Sequence, residues 1–463
     1  MSLFKAITTK DRLTENGMPT NSTSSNYVLD MFFKMGGSRG MSTEAIDLMF
    51  SKALSEDRLL ATKAMFYNRD IRGGQGERRS FRSMFNFLCI RYPMVAIANL
   101  ENVPYFGRWD DILMAIGTPV ERYALDFILS ALKSGDKLCA KWMPRENKSL
   151  AHIAKHLFTS WGLSPEQYRK LLSGNTEVVE NIMCQNEWPA IDYNHVPSVA
   201  INKYRTAFYR HDGERFEEWI ASLSKEGTTN KIHADAIFPH DIVKRISASG
   251  ASNGLLEAQW KALPNYMVEG RQILPVCDVS GSMQGDPMEI CISLGLYLSE
   301  RNIGPFKDGF ITFSTNPELQ LLHGTLAQRI GQLRTAQWNM STDLEKVFRL
   351  ILSKAISAHL PEEDMPTDIL ILSDMQFNQA TGIDKSAIEM ITGIYRQAGY
   401  RRPTIIFWNL RTSSGVPVKM DENGTALVSG FSPSIMKSVL GAEVSPIKIM
   451  RNVLDSERYS VVK

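Results

Sequence analysis

No run of about 18 consecutive apolar residues occurs in the 463-residue chain, which excludes a membrane-spanning helix. The opening MSLFKAITTKDRLTENG lacks the apolar segment of a secretory signal, and a cytoplasmic setting is expected. Cysteine is scarce: five residues (Cys89, Cys139, Cys184, Cys277 and Cys291) with no CxxC pair. This argues for reduced thiols and against a disulfide framework. Excess charge is also missing. Lys plus Arg is 52 against 50 for Asp plus Glu, a net charge of +2, so only local charge can name a partner. With 43% hydrophobic and 22% charged residues, the composition is globular and excludes a collagen-like fibre, a charged coiled coil or a disordered tail. At this length two or three domains of roughly 100–200 residues each are expected.

The pattern divides the chain. Residues 1–25, with the run Asn21-Ser-Thr-Ser-Ser25, read as a flexible N-terminus. Residues 26–268 carry almost no strand signal. Apolar positions recur at helical spacing in blocks such as 43–54, 58–67, 78–91, 120–132, 198–209 and 214–223. Ser164-Pro165-Glu166-Gln167 is a helix start, with Ser164 as cap, Pro165 in the first turn and Gln167 able to close a capping box. Paired helical repeats or an irregular helical bundle follow. Residues 269–463 differ. Short apolar runs at 273–277, 310–313, 369–372 and 404–410 alternate with helical stretches, the signature of an α/β domain with a buried, mostly parallel, doubly wound sheet. Residues 416–418 and 426–428 suggest edge strands, and 434–440 and 447–454 closing helices. The Gly/Ser-rich stretch 247–254 reads as a linker or loop near the seam.

The sharpest chemistry lies in Leu274-Pro-Val-Cys-Asp278-Val-Ser280-Gly-Ser282. A strand ends in a carboxylate, and two hydroxyls follow at steps of two before a helix that Asp286 and Glu289 could cap. Crevices at the carboxyl ends of strands are the binding sites of such sheets. Thr342, ahead of another helix, and Asp374, ending the run Ile369-Leu-Ile-Leu-Ser, can join them. Two carboxylates and three hydroxyls form an oxygen-only set suited to a hard divalent cation, most simply Mg²⁺. A tight turn with a helix cap is the alternative use of residues 278–282. A positioned general base is missing, so a non-enzymatic site is expected. The order Asp278-x-Ser280-x-Ser282, Thr342, Asp374 resembles the metal-ion-dependent adhesion site of the von Willebrand factor A family over residues 272–458. The resemblance implies a bound Mg²⁺ whose open position takes a protein partner's carboxylate or another anion.

A second motif, Arg69-Asp-Ile-Arg72-Gly73-Gly74-Gln-Gly76-Glu-Arg78-Arg79, holds three glycines. From Arg69 to Arg91 there are six basic residues against two acidic ones. Amides at a helix start with arginines nearby form an anion site; a helix–helix turn with internally paired arginines is the bland alternative. Ala140-Lys141-Trp142-Met-Pro-Arg145 and Lys148 form a second basic stretch beside an aromatic, suited to a nucleic-acid backbone and an unpaired base. The two motifs resemble a TROVE-related family of plant, viral and phage proteins, similar to the TROVE module of Ro RNA-binding proteins. In that module a ring of HEAT-like helical repeats precedes a von Willebrand factor A domain. The resemblance implies an RNA-binding scaffold for structured or single-stranded RNA, with Arg69, Arg72, Arg78, Arg79, Lys141, Arg145 and Lys148 as contacts. A metal-dependent protein–protein adaptor without RNA is the competing expectation.

Overall fold

The computed structural model describes all residues except 1–10, 176–177, 235–236, 250–253, 268–269, 314–316, 336–341, 380–385, 412–414, 433–434 and 437–444. Most of the expected helix at 434–440 and residues 250–253 of the Gly/Ser-rich stretch therefore lie outside the described residues; the rest of that stretch ends the helix Pro239–Ser249 and opens the helix Gly254–Lys261.

The N-terminal half is helical, and its helices start where the sequence supplies caps. Asp57 accepts from the Leu60 amide at the head of Arg58–Arg69. Ser164 and Gln167 form the reciprocal capping box of Pro165–Gly174. The blocks expected at 198–209 and 214–223 are one run, Ser198–Ser222, broken at Asp212 (φ −150°, ψ 39°).

The C-terminal half is a mixed six-stranded sheet. Its strands are β3 (Ile273–Cys277), β4 (Gly309–Thr312), β5 (Leu319–Leu321), β6 (Asp368–Ser373), β7 (Thr404–Asn409) and β8 (Thr425–Ser429); β1 (Arg12–Leu13) and β2 (Pro19–Thr20) pair separately near the N-terminus. The order is β5-β4-β3-β6-β7-β8, with β5 antiparallel to β4 and every other neighbour parallel. Strands β3, β4, β6 and β8 are buried at every position, so both faces are covered, as parallel strands require. Chain order reverses between β3 and β6, and that junction is the topological switch point. Gly295, in the helix Asp286–Arg301, lets that helix approach β3: a Cβ there would lie 2.4 Å from Cys277 Sγ.

Three expectations are corrected. Residues 11–25 are not a loose tail. Thr20 Oγ1 donates to the Val416 carbonyl at 2.9 Å, and Asn21 and Val416 exchange backbone hydrogen bonds. Val416 thus forms an isolated bridge to Asn21 rather than a strand of the sheet. Asp286 does not cap its helix; the preceding residue is Gly285 at φ 93°, and the Asp286 carboxylate is instead held by Arg39 at 2.9 Å and by Lys244. Packing is continuous across the change of pattern near residue 270. One continuous apolar core takes in Phe32, Phe66 and Phe106 together with Ile273, Trp408 and Leu427. The seam is close-packed. A Cβ on Gly36, at the end of the helix Tyr27–Met35, would stand 2.3 Å from the Gly430 amide nitrogen.

Candidate metal centre

Strands β3 and β6 run in register, Cys277 beside Leu372, so the next residues of both strands emerge at one edge. The Asp278 amide donates to the Leu372 carbonyl at 2.9 Å, which fixes Asp278 beside Ser373 and Asp374. Asp278 is wholly buried and Asp374 nearly so. Asp278 Oδ1 accepts from the Ser280 amide at 2.9 Å, and Oδ2 accepts from the Ser373 hydroxyl at 2.6 Å. The Ser280 and Ser282 hydroxyls lie 3.0 Å apart. Asp374 Oδ1 accepts from the Gln376 amide at 3.1 Å. Thr342 is buried, and its carbonyl accepts from the Asn378 amide at 3.0 Å, which ties its segment to the loop that follows Asp374. Asp343, next to it, accepts from the Lys346 amide and caps the helix Leu344–Ser357.

Burial, and then the neighbouring Asp374 charge, push the Asp278 carboxyl up to about 6. Among the described residues neither carboxylate has a cationic side chain as ion-pair partner. Buried charges are ordinarily paired or bound to a metal, so two like charges at one strand edge fit a cation between them. The described residues hold no cluster of three or more His, Cys, Asp or Glu side chains suited to a metal; this set has two carboxylates, with hydroxyls as the remaining donors. Magnesium accepts few carboxylates and keeps several waters, so such a set fits it. Beside Ser280 a cleft of about 810 Å³ opens, lined among others by Lys244, Gln284, Asp286, Glu289 and Arg334.

Sequence reasoning missed Ser373, which holds Asp278, and Arg411, which donates to the Ser282 carbonyl. A hydroxyl closing an otherwise apolar strand run was the available signal for Ser373. Nothing local marks Arg411.

The glycine-bearing motif is placed differently from its expected role. Arg69 is buried, with Nε 2.7 Å from Asp111 Oδ2, so it is corrected from an RNA contact to an internal ion pair. The loop folds inward. The Gln75 amide donates to the Tyr67 carbonyl at 3.0 Å and the Glu77 amide to the Asn68 carbonyl at 2.8 Å. Gly74 is required there, since a Cβ would sit 2.1 Å from the Tyr67 carbonyl oxygen. Gln75 Nε2 reaches across to the Phe32 carbonyl at 2.9 Å and to Ser429 of β8. Asp70 is wholly buried and accepts from Arg458 and from the Tyr459 hydroxyl, the latter at 2.9 Å. The motif therefore fastens the helical half to the sheet.

Arg72, Arg78, Arg79 and Lys148 are exposed. Arg79 also donates to the Met41 carbonyl at 2.6 Å. Burial and the nearby Arg108 and Arg82 charges lower the Arg78 pKa. Lys141 lies 3.6 Å from Glu180, and one face of Trp142 is covered by the Arg108 guanidinium at 3.9 Å. Arg145 is partly buried and donates to the Ala140 carbonyl at 3.2 Å.

These features define a class: a helical module continuous with a mixed α/β sheet, whose switch point carries an acidic, hydroxyl-rich crevice. Two family models divide the chain along the same line. The Domain of unknown function (DUF2828) matches residues 14–116 and 129–271, and the Domain of unknown function (DUF7788) matches residues 272–458. The chain belongs to the DUF2828 family, and its C-terminal part is similar to DUF7788. It is also similar to Uncharacterized protein L728 of Acanthamoeba polyphaga mimivirus, at 30% identity over 501 aligned residues spanning 96% of this chain and 87% of the relative. No helix among the described residues is long and apolar enough to cross a membrane.

Proposed function

We propose that the protein is a non-enzymatic capture module. In this reading Mg²⁺ or a similar cation is held by Asp278, Ser280, Ser282, Thr342 and Asp374, as in a von Willebrand factor A metal-ion-dependent adhesion site. A protein partner's carboxylate completes the metal. The observation that carries the reading is the pair of buried carboxylates, Asp278 and Asp374, at adjacent strand ends, with no cationic side chain among the described residues to pair with them. The cleft beside Ser280 gives a partner segment room to reach the metal. The test is an immobilised-protein capture in Mg²⁺. Partners should be retained by the wild type, released by EDTA, and absent from Asp374→Ala. Equal retention by all three would sink the reading.

A second reading, an RNA-binding scaffold of Ro type built on a TROVE-like helical body, is favoured by Arg145. Burial lowers its pKa, and among the described residues it has no carboxylate partner. It lines a cleft of about 610 Å³ with Asn147, Tyr168, Arg169 and Ser173. A phosphate would supply the missing charge. Exposed Arg72, Arg78, Arg79 and Lys148 would add salt-dependent contacts, while Lys141 is partly engaged by Glu180. In gel shifts with single-stranded RNA, affinity should fall steeply with salt, and Arg145→Glu should weaken binding by about tenfold or more, the loss of one charge-assisted contact. Unchanged affinity removes the cleft from this reading.

A further inference from the structure

The loop that carries Asp374 is held from outside as well as by its own bonds. Met375, directly after Asp374, has φ 66° and is buried. An unbranched but bulky side chain in the left-handed region is unfavourable, and such a residue persists only where its surroundings dictate it. Locally the Met375 amide donates to Ser373 Oγ at 3.0 Å, and the residues that follow are held from the other end of the chain. Thr14 Oγ1 donates to the Phe377 carbonyl at 2.6 Å, the Glu15 amide to Gln376 Oε1 at 2.7 Å, and Asn16 Nδ2 to the Gln376 carbonyl at 2.6 Å. In return the Gln379 amide donates to the Asn16 carbonyl at 2.9 Å, and Gly17 bridges Asn378 in antiparallel fashion.

The strap has its own anchors. Residues 14–18 close a turn through the Thr14 amide to the Met18 carbonyl at 2.9 Å, and Met18 is buried. Beyond the turn, Thr20 and Asn21 are bound to Val416. On its other side the same loop meets Thr342, through the Asn378 amide. The 374–379 loop is thus clamped between the N-terminal strap and the Thr342 segment. Gln376, which receives two of the strap's bonds, also donates its amide to Asp374 Oδ1.

We infer that Thr14, Asn16 and Gln376 are positioning residues of the metal centre: the N-terminal strap sets the direction of Asp374 and the approach of Thr342, and so governs metal affinity without touching the metal. This rests on the metal reading above. Residues that orient metal ligands from behind typically alter affinity by about 10–100-fold.

The test is Mn²⁺ binding to the full chain by titration calorimetry, alongside the thermal midpoint without metal. Thr14→Val with Asn16→Ala should lower Mn²⁺ affinity by about tenfold or more while the metal-free midpoint stays close to the wild type. Thr14→Ser, which keeps the hydroxyl, should bind as the wild type does. Should the double variant fail to fold, Thr14→Val alone is compared with Thr14→Ser. Wild-type binding with equal affinity in the variants overturns the strap and leaves the metal reading standing. Absence of Mn²⁺ binding by the wild type overturns the metal reading and this inference with it.

Discussion

Adding Mg²⁺ is expected to raise the unfolding temperature of the wild type and to leave that of Asp278→Ala unchanged. A ligand that binds only the folded state stabilises it by RT ln(1 + [L]/Kd), about 2.7 kcal/mol at one hundred times Kd. The buried pair Asp278 and Asp374 supplies the reason for binding, since burial and mutual repulsion raise the Asp278 pKa and a dication relieves both. Removing Asp278 deletes one of the two proposed anionic ligands. It also frees the Ser373 hydroxyl and the Ser280 amide, which now donate to it, while the repulsion from Asp374 disappears. These effects oppose one another in the metal-free protein, so the readout is the metal-dependent increment, measured by calorimetry with Mg²⁺ and with EDTA. Equal increments in both proteins would place the cation elsewhere.

The largest loss of stability is expected from Asp70→Ala, about 3–5 kcal/mol, as for other broken buried ion pairs. Asp70 is wholly buried and is the anion for Arg458 and the acceptor of the Tyr459 hydroxyl, 388 and 389 residues further along. Tyr459 would stay buried and Arg458 partly covered, with no replacement acceptor among the described residues. The Tyr459 ring stacks on Phe106 at 5.3 Å and meets Tyr67 edge-on at 5.9 Å, so the loss loosens an aromatic cluster as well. Asp70→Asn preserves the volume and removes the charge; it should recover part of the loss through the tyrosine but not the arginine. Urea denaturation of the three proteins decides the matter. A difference below 1 kcal/mol for Asp70→Ala would mean that the joint is held by packing alone.

The strands that carry the candidate site were legible because an apolar run of five residues meets Asp278 and one of four meets Ser373-Asp374. Strand β5 was not: Leu319 and Leu321 are exposed, so it has no buried face to leave a pattern, and it exists by pairing with β4. The glycine-bearing motif misled for a different reason. Backbone amides and arginines around glycines have the same local composition whether they cradle a phosphate or plug a seam. Arg69 is withdrawn from the surface by Asp111, 42 positions away, and Gln75 by Ser429, 354 positions away. The N-terminal strap is short and polar, and its order comes from hydrogen bonds to residues 376–379 and 416. Periodicity cannot register such bonds.

The docking of residues 458–463 against the first helices has a consequence for biosynthesis. Asn99 Nδ2 donates to the Lys463 carbonyl at 2.6 Å, and Asn102 Nδ2 to the Val461 carbonyl at 3.1 Å. A ribosome releasing this chain delivers the partners of Asp70, Asn99 and Asn102 hundreds of residues after those side chains have emerged. The early helices must wait with the faces of Tyr67 and Phe106 that meet Tyr459 uncovered, an interval in which nascent chains are prone to aggregate and recruit chaperones.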